Sequence, residues 1–307
     1  MLVASHYTDC MREFAATYRG RLAPSPTGLL HLGHARTFWT AYRRAIAANG
    51  VLILRNEDLD PQRSRVEFAT AMIEDLTWLG IRWQEGPVAD GNGERGAFAP
   101  YTQSLRRPLY LEAWRKLRDS GSIYPCTCSR KDVARAAQAP HEGDAAGHPA
   151  EMADDEEPLY PSTCRNQQPS ACTYAEPAGV NWRFRVPDGD AIEFVDQHYS
   201  AQRYVAGSDF GDFLIWRRDG VPAYQLAVVV DDAAMRITEV VRGADLLKST
   251  ARQILLQRTL GLSQPHWYHC DLMLDEHGIR YAKQQDALSL RHLRALGETP
   301  EEIHARF

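Results

Sequence analysis

Two histidines follow a loop rich in proline and glycine near the start of the chain. The segment 21–35 reads RLAPSPTGLLHLGHA and stands between an apolar run at 18–23 and a helical pattern over 33–48. Proline fixes such a loop, glycine lets main chain approach a ligand, and a helix N-terminus attracts anions. His31 and His34 can donate hydrogen bonds to phosphate oxygens. These residues predict a nucleotide site, with a turn whose histidines only cap the helix as the alternative.

Charged side chains follow two further apolar runs. RNEDLD places Glu57 just after the run at 51–55, and VVRGAD places Arg242 just after the run at 237–241. Ligands of open α/β sheets bind at the C-terminal ends of the strands. An acid and a guanidinium there suit a ligand that carries both an ammonium and a carboxylate. The alternative is an ordinary salt bridge at a strand end.

Three cysteines and a tyrosine form a second group of chemically capable residues. Cys126 and Cys128 are separated by one residue, and Tyr160 precedes Cys164 by four. Thiolates are zinc ligands, but a single Cys-x-Cys is a weak signal. From spacing alone, a metal site and ordinary free cysteines are about equally expected.

Strands and helices alternate along the chain. Strand, loop, helix and strand over 18–55 form a βαβ unit, which requires a parallel sheet and predicts an α/β fold. The region 124–174 breaks the alternation and is interpreted as an insertion between two sheet halves. The other predicted segments are helices at 64–79, from Pro108 to about 120 and at 245–260, apolar runs at 223–230, 237–241 and 266–274 as the alternation resumes, and two short C-terminal helices.

Charge and cysteine usage limit the class of protein. The chain of 307 residues carries a net charge of -5, but the stretch 139–158 alone holds seven acids and no Lys or Arg. The remainder is therefore slightly basic at +2, which neither requires nor excludes a nucleic-acid partner. No signal peptide or apolar run of membrane-spanning length is present, and the six cysteines show no regular pairing. We expect a cytoplasmic protein that does not interact with membranes.

The loop resembles a family signature. PSPTG followed by His31-Leu-Gly33-His34 is similar to the HIGH motif of class I aminoacyl-tRNA synthetases, in their glutamyl and glutaminyl branch. That resemblance implies a Rossmann-like catalytic domain and ATP as substrate, with Mg²⁺. It assigns catalysis to His31, His34 and Lys283, and ATP binding to these three and Gly33. Lys283 lies in GIRYAKQQ at the lysine of the second family signature, KMSKS, although the three residues before it depart from the pattern.

The same resemblance implies a glutamate pocket. Segments around Glu57, Tyr224 and Arg242 are similar to those that hold the amino acid in the glutamyl branch. By this comparison Glu57 binds the ammonium, Arg21 and Arg242 bind carboxylates, and Tyr224 donates a hydrogen bond. The expected glutamate-binding residues are Arg21, Ala23, Ser25, Glu57, Tyr224 and Arg242.

The cysteine and tyrosine pattern resembles the zinc-binding insertion of one family, the glutamyl-queuosine tRNA(Asp) synthetases. It implies one structural Zn²⁺ held by Cys126, Cys128, Tyr160 and Cys164. The chain continues only 24 residues beyond Lys283, from which we expect no anticodon-binding domain. The family implies activation of glutamate without tRNA and its transfer to queuosine at the wobble position of tRNA(Asp), whose anticodon arm is the partner.

The resemblance leaves two alternatives for the activity and predicts how the chain is divided into segments. The alternatives are a truncated glutamyl-tRNA synthetase-like enzyme that loads another acceptor and a catalytically inactive RNA-binding paralogue. A monomer is favoured. The expected segments are a leader at 1–18, a first catalytic half at 19–123, a zinc-binding insertion at 124–200 with the acidic loop 139–158, a second catalytic half at 201–275, and the KMSKS-like loop with C-terminal helices at 276–307.

Overall fold

The structure is a computed structural model. It describes residues 17–89, 93–129, 131–133, 159–166, 171–273 and 289–307. The acidic loop 139–158 and Lys283 lie outside these ranges, so their predicted roles are not placed in the fold.

Strands and helices are labelled here in chain order. The strands are β1 (Arg19–Leu22), β2 (Val51–Leu54), β3 (Gly86–Pro87), β4 (Glu94–Arg95), β5 (Ile123–Cys126), β6 (Asn181–Phe184), β7 (Ala191–Asp196), β8 (Ser200–Val205), β9 (Leu214–Trp216), β10 (Glu239–Gly243) and β11 (His266–Cys270). The α-helices are α1 (Leu32–Ala47), α2 (Val66–Trp78), α3 (Arg107–Asp119), α4 (Tyr224–Ala234), α5 (Leu247–Leu260), α6 (Leu290–Ala295) and α7 (Pro300–His304).

The first βαβ unit forms as the sequence predicts. β1 and β2 are parallel, with Arg19 opposite Val51 and Leu22 opposite Leu54, and α1 connects them. Leu22 and Leu54 are fully buried, because helices and loops cover this part of the sheet. The loop before α1 is therefore held at the C-terminal end of β1, where a ligand of an open sheet binds.

A second set of strands extends the parallel arrangement. The order is β10-β11-β7-β8, in which β10, β11 and β7 are parallel and β8 is antiparallel. The backbone N–H of Thr238, just before β10, donates to the carbonyl of Arg19 at 2.9 Å, so β10 lies beside β1. The C-terminal ends of β1 and β10 consequently face the same cleft. Strand β7 joins this sheet although its residues fall within the range 124–200 that the sequence assigned to the insertion.

A small antiparallel sheet carries Cys126. It has the order β5-β6-β9, and Cys126 at the end of β5 pairs with Asn181. Trp182 and Trp216 from this sheet pack, fully buried, in the same core as Trp114 of α3. The sheet is thus fixed to the main hydrophobic core by apolar burial, which stabilises the fold by roughly 25 cal/mol per Å² of apolar surface.

The apolar run at 223–230 is a helix, α4, rather than another strand of the sheet. A short apolar run cannot be assigned to strand or helix by periodicity, because full burial removes the polar face that marks the period. Here the residues from Leu226 to Val230 are all buried, so the run shows no polar side.

Within the residues that the structure describes, no helix is both long and apolar enough to cross a membrane.

Candidate active site

One cavity of about 1450 Å³ opens at the C-terminal ends of β1 and β10 and at the start of α1. Its walls contain every residue that the sequence proposed for ATP and glutamate, except Lys283, which lies outside the described residues. The two expected subsites therefore share one space. The predicted residues on its walls are Arg21, Ala23, Ser25, His31, Gly33, His34, Glu57, Tyr224 and Arg242.

The two loop histidines cap α1 and also line the cavity. His31 is the N-cap, and its Nδ1 accepts a hydrogen bond from the Gly33 backbone N–H at 3.1 Å. The Nδ1 atom of His34 accepts from the His31 backbone N–H at 3.4 Å, and the two rings stack at 3.7 Å. The two histidines therefore cap the helix, as the alternative predicts, and they also lie on the cavity wall. Because both Nδ1 atoms accept, a neutral ring at either position carries its proton on Nε2.

The protonation state of these histidines follows from their surroundings. Desolvation beside the cavity wall lowers the pKa of both histidines, and the neighbouring His31 adds to the lowering at His34, whose side chain is open to the cavity. Both rings are consequently neutral near pH 7. Each presents an Nε2–H donor rather than a full charge, which suits hydrogen bonding to a phosphate oxygen.

Arg242 is a buried guanidinium held by neutral groups. Only 4% of its surface is exposed. Its Nε donates to His269 Nε2 at 3.1 Å, Nη1 to Gln253 Oε1 at 2.9 Å and Nη2 to Thr250 Oγ1 at 2.7 Å. No carboxylate of the described residues lies within ion-pair distance of it, and burial lowers its pKa. Arg242 therefore carries a charge that a bound anion can neutralise.

Two buried arginines near the cavity, Arg55 and Arg21, have acidic partners. Arg55 is fully buried and contacts Glu57 Oε1 at 2.8 Å and Asp232 Oδ1 at 2.7 Å. Arg21 lies 3.6 Å from Asp232 Oδ1 and donates to the carbonyl of Val241. Burial raises the pKa of Glu57, while Arg55 opposes that rise. Arg55 thus positions Glu57, and Asp232 positions Arg21.

Sequence reasoning missed this buried ionic network. Asp231, fully buried, accepts from Arg106 Nε at 2.6 Å, Gln103 Nε2 at 2.8 Å and Tyr110 Oη at 2.8 Å. The signal for this network in the sequence is the adjacent pair Asp231 and Asp232, which follows an apolar run. Acids are rarely buried without partners, so such a pair indicates buried bases elsewhere in the chain.

The structure brings the cysteines and the tyrosine together. The sulfurs of Cys126, Cys128 and Cys164 all lie within 4.8 Å of one another. The hydroxyl of Tyr160 lies 3.3 Å from the Cys126 sulfur and 3.5 Å from the Cys128 sulfur. Burial alone would raise the pKa of the Cys164 thiol. Hydrogen bonds from Tyr160 and Thr127 outweigh the effect of burial and lower this pKa to about 6. Three sulfurs and one oxygen converge, which is the donor set of a closed four-ligand site.

Comparison with known proteins identifies relatives over nearly the whole chain. A family model described as tRNA synthetases class I (E and Q), catalytic domain, matches residues 17–306. The Glutamyl-Q tRNA(Asp) synthetase of Symbiobacterium thermophilum is 46% identical over 92% of this chain and 83% of that protein. The protein of the same name from Nitratidesulfovibrio vulgaris is 46% identical over 91% of this chain and 82% of its own length.

Larger ligases match over part of their length. Glutamate--tRNA ligase 2 of Nitrosococcus oceani is 39% identical, over 92% of this chain but 57% of that protein. The crystal structure of a glutamate tRNA ligase from Elizabethkingia meningosepticum in complex with its amino acid superimposes with a TM-score of 0.69 and 28% identity. The match covers 92% of this chain and 53% of that chain, so this chain spans about half the length of the solved ligase.

Proposed function

The chain belongs to the class I tRNA synthetases of the E and Q group, and from that premise we propose that it activates glutamate with ATP and transfers it to queuosine in tRNA(Asp). Membership makes it a ligase-type enzyme. The glutamyl-Q name and the acceptor come from relatives that match this chain over more than four-fifths of their length. Activation in this proposal does not need tRNA.

The neutral contacts of Arg242 carry the choice of glutamate. Three buried arginines are matched by three buried acids, whereas Arg242 has only neutral contacts among the described residues. A carboxylate of glutamate would supply the counter-charge that Arg242 lacks among these contacts. Glutamine, with no net charge, leaves the guanidinium underpaired in a water-poor site. The matched pairs are Arg21–Asp232, Arg55–Glu57 and Arg106–Asp231.

We assign the groups of glutamate to the cavity walls as follows. The ammonium binds Glu57, the carboxylates bind Arg21 and Arg242, and the Tyr224 hydroxyl adds a hydrogen bond beside Arg242. Tyr224 is 41% exposed and lies on the cavity wall, where a ligand can reach it. Ala23 and Ser25 form the adjoining wall.

The chemical step then needs stabilisation of negative charge on phosphate. An α-carboxylate oxygen of glutamate attacks the α-phosphorus of ATP, the bond to pyrophosphate breaks, and glutamyl-adenylate forms. The Nε2–H groups of His31 and His34 donate to phosphate oxygens as charge shifts to the leaving pyrophosphate. Lys283, which lies outside the described residues, supplies the cation of the second family signature. Mg²⁺ enters with ATP as the counter-ion of its phosphates.

In the second step a hydroxyl of queuosine attacks the carbonyl carbon of the adenylate. The new ester bond forms, the bond between the carbonyl carbon and the phosphate oxygen breaks with its electron pair on the departing AMP, and the hydroxyl proton is released to solvent. Which hydroxyl reacts does not affect the charge balance at Arg242, because the glutamyl side chain remains bound during transfer.

We also propose that Cys126, Cys128, Tyr160 and Cys164 bind one zinc ion. Their donor set fits this metal, since the four atoms already converge and three are sulfurs. Bound zinc would cross-link the segment after β5 to the segment around Cys164 and stabilise the small antiparallel sheet.

Transfer of labelled glutamate tests the acceptor. Purified enzyme with ATP and labelled glutamate should label tRNA(Asp) that contains queuosine. The same tRNA(Asp) with guanine at the wobble position, and tRNA(Glu), should stay unlabelled. Label on tRNA(Glu) instead would identify a truncated glutamyl-tRNA synthetase-like enzyme, and no adenylate formation at all would identify an inactive RNA-binding paralogue.

A further inference from the structure

Three neighbouring strands present Arg242, His269 and Asp196 in a row. In the parallel sheet Arg242 of β10 is the register partner of His269 in β11, and Asp196 of β7 is the partner of Trp267, two residues before His269. Alternate residues of a strand share one face, so the three side chains meet on the same side of the sheet. His269 is fully buried and Asp196 is 1% exposed.

The hydrogen bonds fix the position of each proton. Arg242 Nε can only donate, so His269 Nε2, 3.1 Å away, must accept. The imidazole proton therefore resides on Nδ1, which lies 2.6 Å from Asp196 Oδ2. Asp196 also accepts from the backbone N–H groups of His198 at 2.9 Å, Tyr199 at 2.8 Å and His269 at 3.1 Å. With four donors the carboxylate stays ionised.

We infer that Asp196 and His269 are positioning residues that orient Arg242 while keeping the counter-charge one imidazole ring away from its guanidinium. The geometry is independent of the substrate, whereas its use for a glutamate carboxylate rests on the proposed function. A carboxylate in direct contact with Arg242 would neutralise it and compete with the ligand. A neutral imidazole satisfies the Nε–H and leaves the positive charge for the anion.

Two observations support this arrangement. Burial and the neighbouring Arg242 lower the pKa of His269 to about 4, so the ring is neutral near pH 7. Gln253, the acceptor for Nη1, is fixed in the same way, since its Nε2 donates to Gln225 Oε1 at 3.0 Å and Gln225 Nε2 donates to Ser249 Oγ at 3.1 Å. Thr250 Oγ1, the third acceptor, donates to the carbonyl of Leu246 at 3.4 Å, so each acceptor of the guanidinium has its own orienting partner.

Variants of His269 with matched shapes test the inference. His269→Gln keeps a neutral acceptor near the Nε2 position and should change the KM for glutamate by less than about threefold. His269→Glu has the same shape but adds a carboxylate at Arg242 and should raise this KM at least thirtyfold. His269→Asn is too short to reach Arg242 and should raise it about tenfold, while the KM for ATP stays unchanged in all three. His266→Gln, an exposed histidine on the same strand, is the control and should behave as wild type.

A spectroscopic readout separates positioning from a purely structural role. In ¹⁵N-histidine NMR spectra of the wild type, His269 should be the neutral Nδ1–H tautomer at pH 7. In Asp196→Asn it should shift to Nε2–H, because the carboxamide N–H₂ faces Nδ1, and glutamate affinity should fall at least tenfold. An Nε2–H or charged His269 in the wild type, or equal KM values for the Gln and Glu variants, overturns the inference. A wild type that has the Nδ1–H tautomer but activates no glutamate overturns the proposed function instead.

Discussion

Removal of the Arg242 guanidinium should abolish most glutamate activation. In the fold, 96% of this residue's surface is buried, and three neutral acceptors on β11 and α5 hold it. Truncating one partner of a buried, hydrogen-bonded charge pair costs about 2–5 kcal/mol. At about 1.4 kcal/mol per factor of ten, kcat/KM for glutamate should fall about 30-fold to several thousandfold in Arg242→Ala.

The same change should have little effect on a neutral substrate. Activity with glutamine, which we expect to be low in the wild type, should change far less, so the glutamate to glutamine preference should collapse. Arg242→Lys should recover little of the loss, because an ammonium has three donors on a point charge and cannot replace five donors in a planar fork.

The assay is glutamate-dependent exchange of labelled pyrophosphate into ATP. Arg258→Ala, which removes an exposed arginine from α5, is the matched control and should retain wild-type exchange. A normal rate in Arg242→Lys, or wild-type preference for glutamine or aspartate, would refute the assignment of Arg242 to a substrate carboxylate.

Three further changes have defined outcomes. Lys283→Ala should lower pyrophosphate exchange at least about a hundredfold, since a lost transition-state charge contact costs ~3 kcal/mol, with glutamate binding nearly unchanged; survival within a few-fold would assign the role to another cation. Metal analysis of protein purified without chelator should find about one zinc per chain, strongly reduced in Cys126→Ser or Cys164→Ser; a folded, active, metal-free wild type would exclude the zinc site. The free energy of unfolding should fall as pH drops below about 6.5, because His269 binds a proton in the unfolded state but stays neutral in the folded state down to its pKa of about 4. In His269→Gln the free energy of unfolding should depend less steeply on pH over this range. An equally steep dependence in the variant would contradict the low pKa of His269.

Local patterns in the sequence predicted the elements around the loop at 23–31. Proline, glycine and the 3.6-residue period fixed the loop and α1 to within one or two residues, because these signals act on the adjacent backbone. The parallel pairing of β1 and β2 followed from their connection through a helix, and the structure confirms it. Periodicity could not distinguish a strand from a helix at 223–230, because residues 226–230 are all buried and show no polar face.

Long-range ionic contacts could not be predicted. Asp196 and His269 are separated by 73 positions, and Arg55 and Asp232 by 177, so no spacing rule connects either pair. Each pair forms because parallel strands and α4 bring their ends to one side of the sheet. By contrast, the residues expected around glutamate were named from family segments, and the structure places all of them on one cavity. Their binding roles are still predictions, since no ligand contact tests them.

Pyrophosphate exchange with a panel of amino acids in the absence of tRNA tests glutamate activation most directly. Purified wild-type protein with ATP should exchange pyrophosphate with glutamate, at least about a hundredfold faster than with glutamine or aspartate, because only glutamate places a carboxylate at Arg242 and spans the distance to Glu57. Exchange that needs added tRNA, or that is fastest with another amino acid, would contradict the proposed activity.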